Sequence, residues 1–156
     1  MPRRKRAVER DVAPDPKYNS VLVAKFVNRL MERGKKSVSQ KIFYDALEVV
    51  EAKTKKDGLE VFTKALKNVQ PVLEVRSRRI GGATYQVPVE IRADRRQALA
   101  IRWIITYSKS RSERTMAEKL ATEFFNAYKG EGSSIKKRED THKMAEANRA
   151  FAHFKW

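Results

Sequence analysis

The spacing of the apolar residues constrains the fold of this chain more than any other feature. Before residue 71 and after residue 92 they recur every three or four positions, which is typical of helices packed on a core. Between these stretches the spacing changes to two, in two short runs separated by a pair of glycines. The first run holds Leu73 and Val75, the pair is Gly81 and Gly82, and the second run holds Val87, Val89 and Ile91. The pattern predicts a β-hairpin between the third and fourth helices.

We therefore expect a mainly α protein with about six helices in one bundle-like domain, a protruding basic hairpin and an extended N-terminal arm. Pro14 and Pro16 keep the arm out of a helix. The predicted organisation is a flexible basic arm at 1–18, a helical domain at 19–148 with the hairpin at 72–91, and an aromatic and basic C-terminal tail at 149–156.

The register of the hairpin depends on the length of its loop. A two-residue loop would pair Val75 with Pro88, which puts Val75 and Val89 on opposite faces. A loop with an odd number of residues, for example the three-residue loop from Gly81 to Ala83, pairs Val75 with Val89 and allows one shared apolar face. We therefore expect an odd-numbered loop such as this three-residue loop. The polar, basic part from Arg76 to Gln86 is expected to project away from the core.

Polar residues before the apolar stripes predict where several helices begin. Side chains spaced as in a capping box start the second, third and fifth helices: Ser37 with Gln40, Asp57 with Glu60, and Thr115 with Glu118. In the second helix Val38 belongs to the predicted buried stripe. The fourth helix is expected from about Arg92 to Ser108. It sets Ala93, Ala100, Ile101, Ile104 and Ile105 inward, whereas Leu99 and Trp103 fall within an arc of arginines.

Positive charge is concentrated rather than spread along the chain. The net charge is +16 over 156 residues, and clusters rich in arginine occur in the arm, the hairpin and the fourth helix. Such self-repulsion does not favour folding, so a polyanionic partner is expected. Arginine forks match phosphate oxygens and arginine planes stack on bases, which indicates nucleic acid. The predicted RNA-binding residues are Arg3, Arg4, Lys5, Arg6, Arg10, Lys35, Lys36, Arg76, Arg78, Arg79, Arg92, Arg95, Arg96 and Arg102.

Catalytic and metal chemistry find little support in the residues. The chain has no cysteine, which excludes disulfides, thiolate metal sites and a cysteine nucleophile. Its two histidines, His142 and His153, lack the i, i+4 spacing of a metal pair. We find no phosphate-binding glycine loop and no nucleophile elbow. We therefore expect no enzyme activity, no metal, no cofactor and no small-molecule substrate. Neither a secretory signal nor a membrane span is expected, because the apolar runs are short.

Two other functions remain open at this point. A DNA-bending architectural protein would also combine a helical body with basic β-arms. A scaffold whose basic surface meets acidic proteins is the second. The residues do not decide whether Trp103 and Trp156 pack inward or meet RNA or protein, nor whether the nearby Phe151 and Phe154 cover a core edge or dock on a partner.

Four segments resemble the bacterial small-ribosomal-subunit protein seven family, the universal small-subunit ribosomal protein seven. They are DPKYNSVLVAKFVNRLMERGKKS at 15–37, VRSRRIGGATYQVPVEIR at 75–92, RRQALAIRW at 95–103 and KKREDTHKMAEANRAFAHFKW at 136–156. They follow the family's order over nearly the whole chain. Only 104–110 fits less closely, because a smaller, more alanine-rich stretch is usual there.

The resemblance implies a structural ribosomal role without catalysis. Proteins of this family bind the 3′ major domain of small-subunit ribosomal RNA directly and nucleate assembly of the head. Their hairpin lies near the exit-site transfer RNA and the messenger path at the subunit interface, so Arg79, Gly81, Gly82 and Tyr85 are implied to face the transfer RNA. Small-subunit proteins nine and eleven are implied neighbours, and the location is the ribosome in the cytoplasm. Some members repress their own messenger.

Overall fold

The computed structural model describes Val8 and residues 10–154. Within them lie six α-helices, one 3-10 helix and a two-stranded antiparallel sheet. The helices are α1 (Val21–Leu30), α2 (Lys36–Thr54), α3 (Gly58–Val69), α4 (Ala93–Lys109), α5 (Met116–Lys129), α6 (Ser133–Ala147) and a C-terminal 3-10 helix (Arg149–Phe154). The strands are β1 (Leu73–Ile80) and β2 (Ala83–Glu90). The mainly helical fold with a hairpin between the third and fourth helices is therefore confirmed.

The chain divides into two compact units, Met1–Gln40 and Lys41–Trp156, and the boundary falls within α2. In the first unit, the Ser20 hydroxyl accepts a hydrogen bond from the Val23 amide at the start of α1. One face of α1 is buried. The hydroxyl of Ser39, itself buried, donates to the backbone carbonyl of Val27 at 2.9 Å.

Three phenylalanines form the centre of the second unit. Phe43, Phe62 and Phe124 are fully buried and meet edge to face, with ring centroids 5.1 to 6.2 Å apart. Edge-to-face contacts set the positive rim of one ring against the negative face of the next. They join α2, α3 and α5 into one core.

Two of the three predicted capping signals start a helix as expected. The Asp57 side chain accepts from the Leu59 amide at the start of α3. Thr115 and Glu118 form a full capping box at the start of α5. The prediction for Ser37 is wrong, because α2 already begins at Lys36. Val38, predicted to be buried, is 52% exposed.

The hairpin has a two-residue loop, so the predicted three-residue loop is wrong. Val75 pairs with Pro88 and Ile80 pairs with Ala83, which leaves Gly81 and Gly82 as the turn. Both glycines have positive φ, +56° and +89°, as a type I′ turn requires.

The physical reason for this register lies on the two faces of the hairpin base. Leu73, Val75 and Pro88 lie on one face, and Val87 and Val89 lie on the other. The first face meets α6, where the Val72 amide donates to Nε2 of His142 at 2.9 Å. On the second face, Val87 is buried and Glu74 binds the Arg95 side chain of α4. Because the apolar residues of both faces are buried or partly buried, a single shared apolar face is not needed.

Helix α4 differs from its predicted orientation at its edges. Ala100, Ile101, Ile104 and Ile105 are buried as expected, but Ala93 is exposed. Leu99, predicted within the basic arc, is buried. Within the described residues, no helix is long and apolar enough to cross a membrane.

Candidate nucleic-acid interface

Of the five predicted RNA-binding residues in the N-terminal arm, the structure describes one. Arg3, Arg4, Lys5 and Arg6 lie outside the described residues. Arg10 is exposed. The contribution of the arm to nucleic-acid binding therefore stays a prediction.

Lys35 and Lys36 are both exposed at the turn that joins α1 and α2. Arg33 and Gly34 have positive φ there, 52° and 75°. The Lys35 amide donates to the carbonyl of Glu32 at 3.0 Å, which holds the turn closed. The turn can present two ammonium groups side by side to an anion.

On the hairpin, the three predicted arginines do not share one face. Arg76 and Arg78 are two positions apart in β1 and lie on the same face, whereas Arg79 lies on the other. Arg78 is opposite Tyr85, and Arg79 is opposite Thr84. Arg76 and Arg79 are exposed, and Arg78 is partly buried. The hairpin can therefore offer guanidinium groups on both sides.

A buried carboxylate joins the hairpin to α4. We call Glu74, Arg76 and Arg95 the Glu74 cluster. The Glu74 side chain is 9% exposed, whereas those of Arg76 and Arg95 are 49% and 50% exposed. Nε of Arg76 donates to Oε1 of Glu74 at 2.7 Å, and Nε of Arg95 donates to Oε2 at 2.8 Å. An arginine of the hairpin and an arginine of the helix are thus held on one carboxylate.

The electrostatics of the Glu74 cluster favour the ionised acid. Burial by itself raises the pKa of Glu74. Hydrogen bonds and charge from Arg95 and Arg76 act in the opposite direction and outweigh burial, so the pKa lies below the ordinary 4.5. The carboxylate stays charged at neutral pH. Each guanidinium has five N–H donors, so those that Glu74 does not use remain for a second anion.

The other arginines of α4 start and flank the same helix. Arg92 is the exposed N-cap residue, with no side-chain capping bond. Nε of Arg96 donates to the Ile91 carbonyl at 2.7 Å, which ties α4 to the end of the hairpin. Arg102 is exposed one turn and a half further along, and Trp103 is partly buried.

Sequence reasoning missed Glu74 and the packing of Tyr85. Glu74 precedes Arg76 by two positions, and that spacing puts two side chains on one face of a strand, so the pair was readable in principle. The ring of Tyr85, predicted as part of the hairpin tip, contacts Phe151 and Phe154 of the C-terminal 3-10 helix. No local pattern indicates that contact, because Phe151 and Phe154 follow Tyr85 by 66 and 69 positions.

Metal and acid–base chemistry have little to build on here. Among residues 10–154 and Val8, no group of three histidine, aspartate or glutamate side chains is placed to hold a metal ion. The His142 ring accepts a backbone hydrogen bond, and burial, followed by the Arg138 charge, lowers its pKa below 6.5. Its contacts are those of a side chain that anchors α6 to the hairpin. The arrangement as a whole can bind phosphates through exposed guanidinium and ammonium groups.

Comparison with known proteins bears on this interface. Residues 2–149 match the family model described as ribosomal protein S7p/S5e. The chain is 60% identical to small ribosomal subunit protein uS7 of Desulfatibacillum aliphaticivorans over 156 residues, which is all of both chains. It is 62% identical to the protein of that name from Anaeromyxobacter sp. strain K, and 60% identical to that of Thermodesulfovibrio yellowstonii, again over the full length of both chains.

Proposed function

The chain belongs to the ribosomal protein S7p/S5e family, and from that premise we propose that it binds the 3′ major domain of small-subunit ribosomal RNA directly and nucleates assembly of the head. Members of the family are structural, non-enzymatic ribosomal proteins, so the chain is an RNA-binding component of the small ribosomal subunit that serves translation. Membership of the family favours an RNA-binding protein over a DNA-bending architectural protein.

The Glu74 cluster is the observation that carries the proposal. Two arginines from different elements share one buried carboxylate, and half of each side chain stays exposed. Fixing a guanidinium before the ligand arrives reduces the side-chain entropy that binding must remove. Folded RNA offers phosphates and 2′-hydroxyls more readily than base edges, since the A-form major groove is too narrow for side chains. The cluster suits backbone recognition of that kind.

The arm, the Lys35–Lys36 turn, the hairpin and the other arginines of α4 supply the remaining contacts in this proposal. Arg79, Gly81, Gly82 and Tyr85 lie toward the exit-site transfer RNA and the messenger path at the subunit interface. Small-subunit proteins nine and eleven are the neighbouring proteins. The assembled particle is the cytoplasmic ribosome. These finer assignments are supported by membership of the family and by the exposed arginines along the chain.

Binding to a transcript of the 3′ domain tests the proposal. We would measure affinity in about 0.15 M salt with excess competitor duplex DNA, and then the dependence of affinity on salt. We expect tight binding that survives the competitor. Each phosphate contact adds roughly 0.7 to 0.9 to the log–log salt slope, so replacing three arginines should lower that slope by about 2 to 3.

The informative variant is R76A/R78A/R79A, and the chain offers a charge-matched control. Lys53, Lys67 and Lys143 are exposed and lie outside the predicted contact set, so K53A/K67A/K143A removes the same charge elsewhere. The control should keep most of the slope and the affinity. Unchanged slope and affinity in the arginine variant would exclude the hairpin as an RNA contact. Binding that duplex DNA competes away would favour the DNA-bending protein instead.

A further inference from the structure

The distal half of the hairpin has little of its own to hold it in place. Arg76, Ser77 and Arg79 of β1 are exposed, as are Thr84 and Gln86 of β2. A two-stranded hairpin alone is marginally stable in water. An element of this kind needs a contact from outside the sheet if it is to keep one orientation.

That contact comes from the C-terminal 3-10 helix. The ring of Tyr85 lies 5.4 Å from that of Phe151 and 5.2 Å from that of Phe154, centroid to centroid. The two phenylalanine rings are nearly parallel, with an interplanar angle of 13°. A 3-10 helix has three residues per turn, so residues three apart share one face. The spacing of Phe151 and Phe154 therefore directs both rings to the hairpin.

The short 3-10 helix lies along β2 and also contacts α6. None of its residues is buried. Arg149 and Ala152 line an open groove of about 420 Å³ beside Leu73 and Pro88 of the hairpin base, rather than filling it. The aromatic rings contribute the side-chain contacts with Tyr85 that join the 3-10 helix to the distal half of the hairpin.

We propose that Phe151 and Phe154 act through Tyr85 as positioning residues, which brace the hairpin in the orientation that binds RNA. The proposal deepens the proposed function and rests on it for the RNA readout. When only part of a population has the binding geometry, apparent affinity falls by that fraction. The brace keeps the fraction high, and so it strengthens binding with no phosphate contact of its own.

The test compares the full-length protein with F151A/F154A and with F151Y/F154Y, which keeps both rings. Aromatic pairs of this kind change an equilibrium constant by up to about tenfold each. We therefore expect amide hydrogen exchange at residues 77–86 of F151A/F154A to be roughly three- to tenfold faster than in the wild-type protein. Affinity for the 3′-domain transcript should fall by the factor by which the braced fraction falls, which is smaller than the change in exchange, and F151Y/F154Y should retain both properties.

The salt slope separates bracing from direct contact. We expect F151A/F154A to keep the wild-type slope, whereas R76A/R78A/R79A loses part of it. A lower slope in F151A/F154A would mean that the C-terminal segment itself meets RNA, and unchanged exchange would mean that the rings do not hold the hairpin. Either result overturns the proposal. If the wild-type protein does not bind the transcript, the proposed function fails, and the exchange rates alone decide whether the brace exists.

Discussion

Replacing Glu74 with glutamine tests the Glu74 cluster most directly. The change keeps the size of the side chain and removes its charge, and the new amide turns N–H donors toward the donors of Arg76 and Arg95. The two shortest hydrogen bonds at risk are 2.7 and 2.8 Å long. Hydrogen bonds to charged groups contribute about 1.5–3 kcal/mol each when buried.

The expected loss of stability is smaller than these values, because the side chains of both arginines are half exposed. Water can solvate a guanidinium that has lost its partner, so the contribution of each bond falls toward that of a surface pair. We expect E74Q to lower the free energy of unfolding by about 2 kcal/mol in total. For a chain of this length, that corresponds to a melting temperature lower by about 4–8 °C.

Urea unfolding at several pH values is the assay, and E90Q is the matched control. Glu90 is an exposed acid at the same end of the hairpin. In the folded protein the pKa of Glu74 lies below 4.5. Between that pKa and pH 4.5, the unfolded chain therefore binds more protons than the folded protein. The stabilisation by this carboxylate is therefore full above pH 4.5 and is lost as the pH falls through the folded pKa. The difference between wild type and E74Q should shrink accordingly.

Two results would refute this reasoning. A loss smaller than about 0.5 kcal/mol at pH 7 would place the change within the range of ordinary surface substitutions. A loss that stays the same at acidic pH would trace the effect to packing rather than charge. E90Q should stay near the wild-type stability throughout.

Two further predictions concern the hairpin turn and its anchor on α6. Gly82→Ala should destabilise the protein by about 1–2 kcal/mol in urea unfolding, because φ of +89° is strained for a side chain with a Cβ; equal stability would exclude the type I′ turn. In the folded protein the pKa of His142 lies below 6.5, so as the pH falls the imidazole is protonated in the unfolded chain before it is protonated in the folded protein. Stability should therefore decrease as the pH falls below 6.5. His142→Gln can still accept from the Val72 amide and should lose that pH dependence; an identical stability–pH profile would contradict the assignment.

Signals between near neighbours in sequence predicted local structure well. The Thr115–Glu118 capping box and the Asp57 cap start α5 and α3 as expected, since each involves residues only two or three positions apart. The pair Gly81–Gly82 marks the turn for the same reason. Such interactions depend on the local backbone conformation and not on distant parts of the chain.

Burial was less predictable because it depends on what covers each face. Periodicity assigned Leu99 to the basic arc and Val38 to the core, and the structure reverses both. Helix phase gives the angle of a side chain, but neighbouring elements decide whether that angle is covered. The prediction of the hairpin register failed in the same way, because apolar residues on both faces of its base are buried or partly buried.

The sequence by itself determined the mainly helical fold, the hairpin with its glycine turn and the clusters of arginine, because periodicity, capping and charge are properties of short segments. Only the tertiary structure decided that Glu74 holds Arg76 and Arg95 together and that Phe151 and Phe154 contact Tyr85. Contacts between residues far apart in the chain exist only after the helices have brought those residues together. The arginines that suit RNA can therefore be predicted from the sequence, whereas their arrangement in space results from tertiary packing.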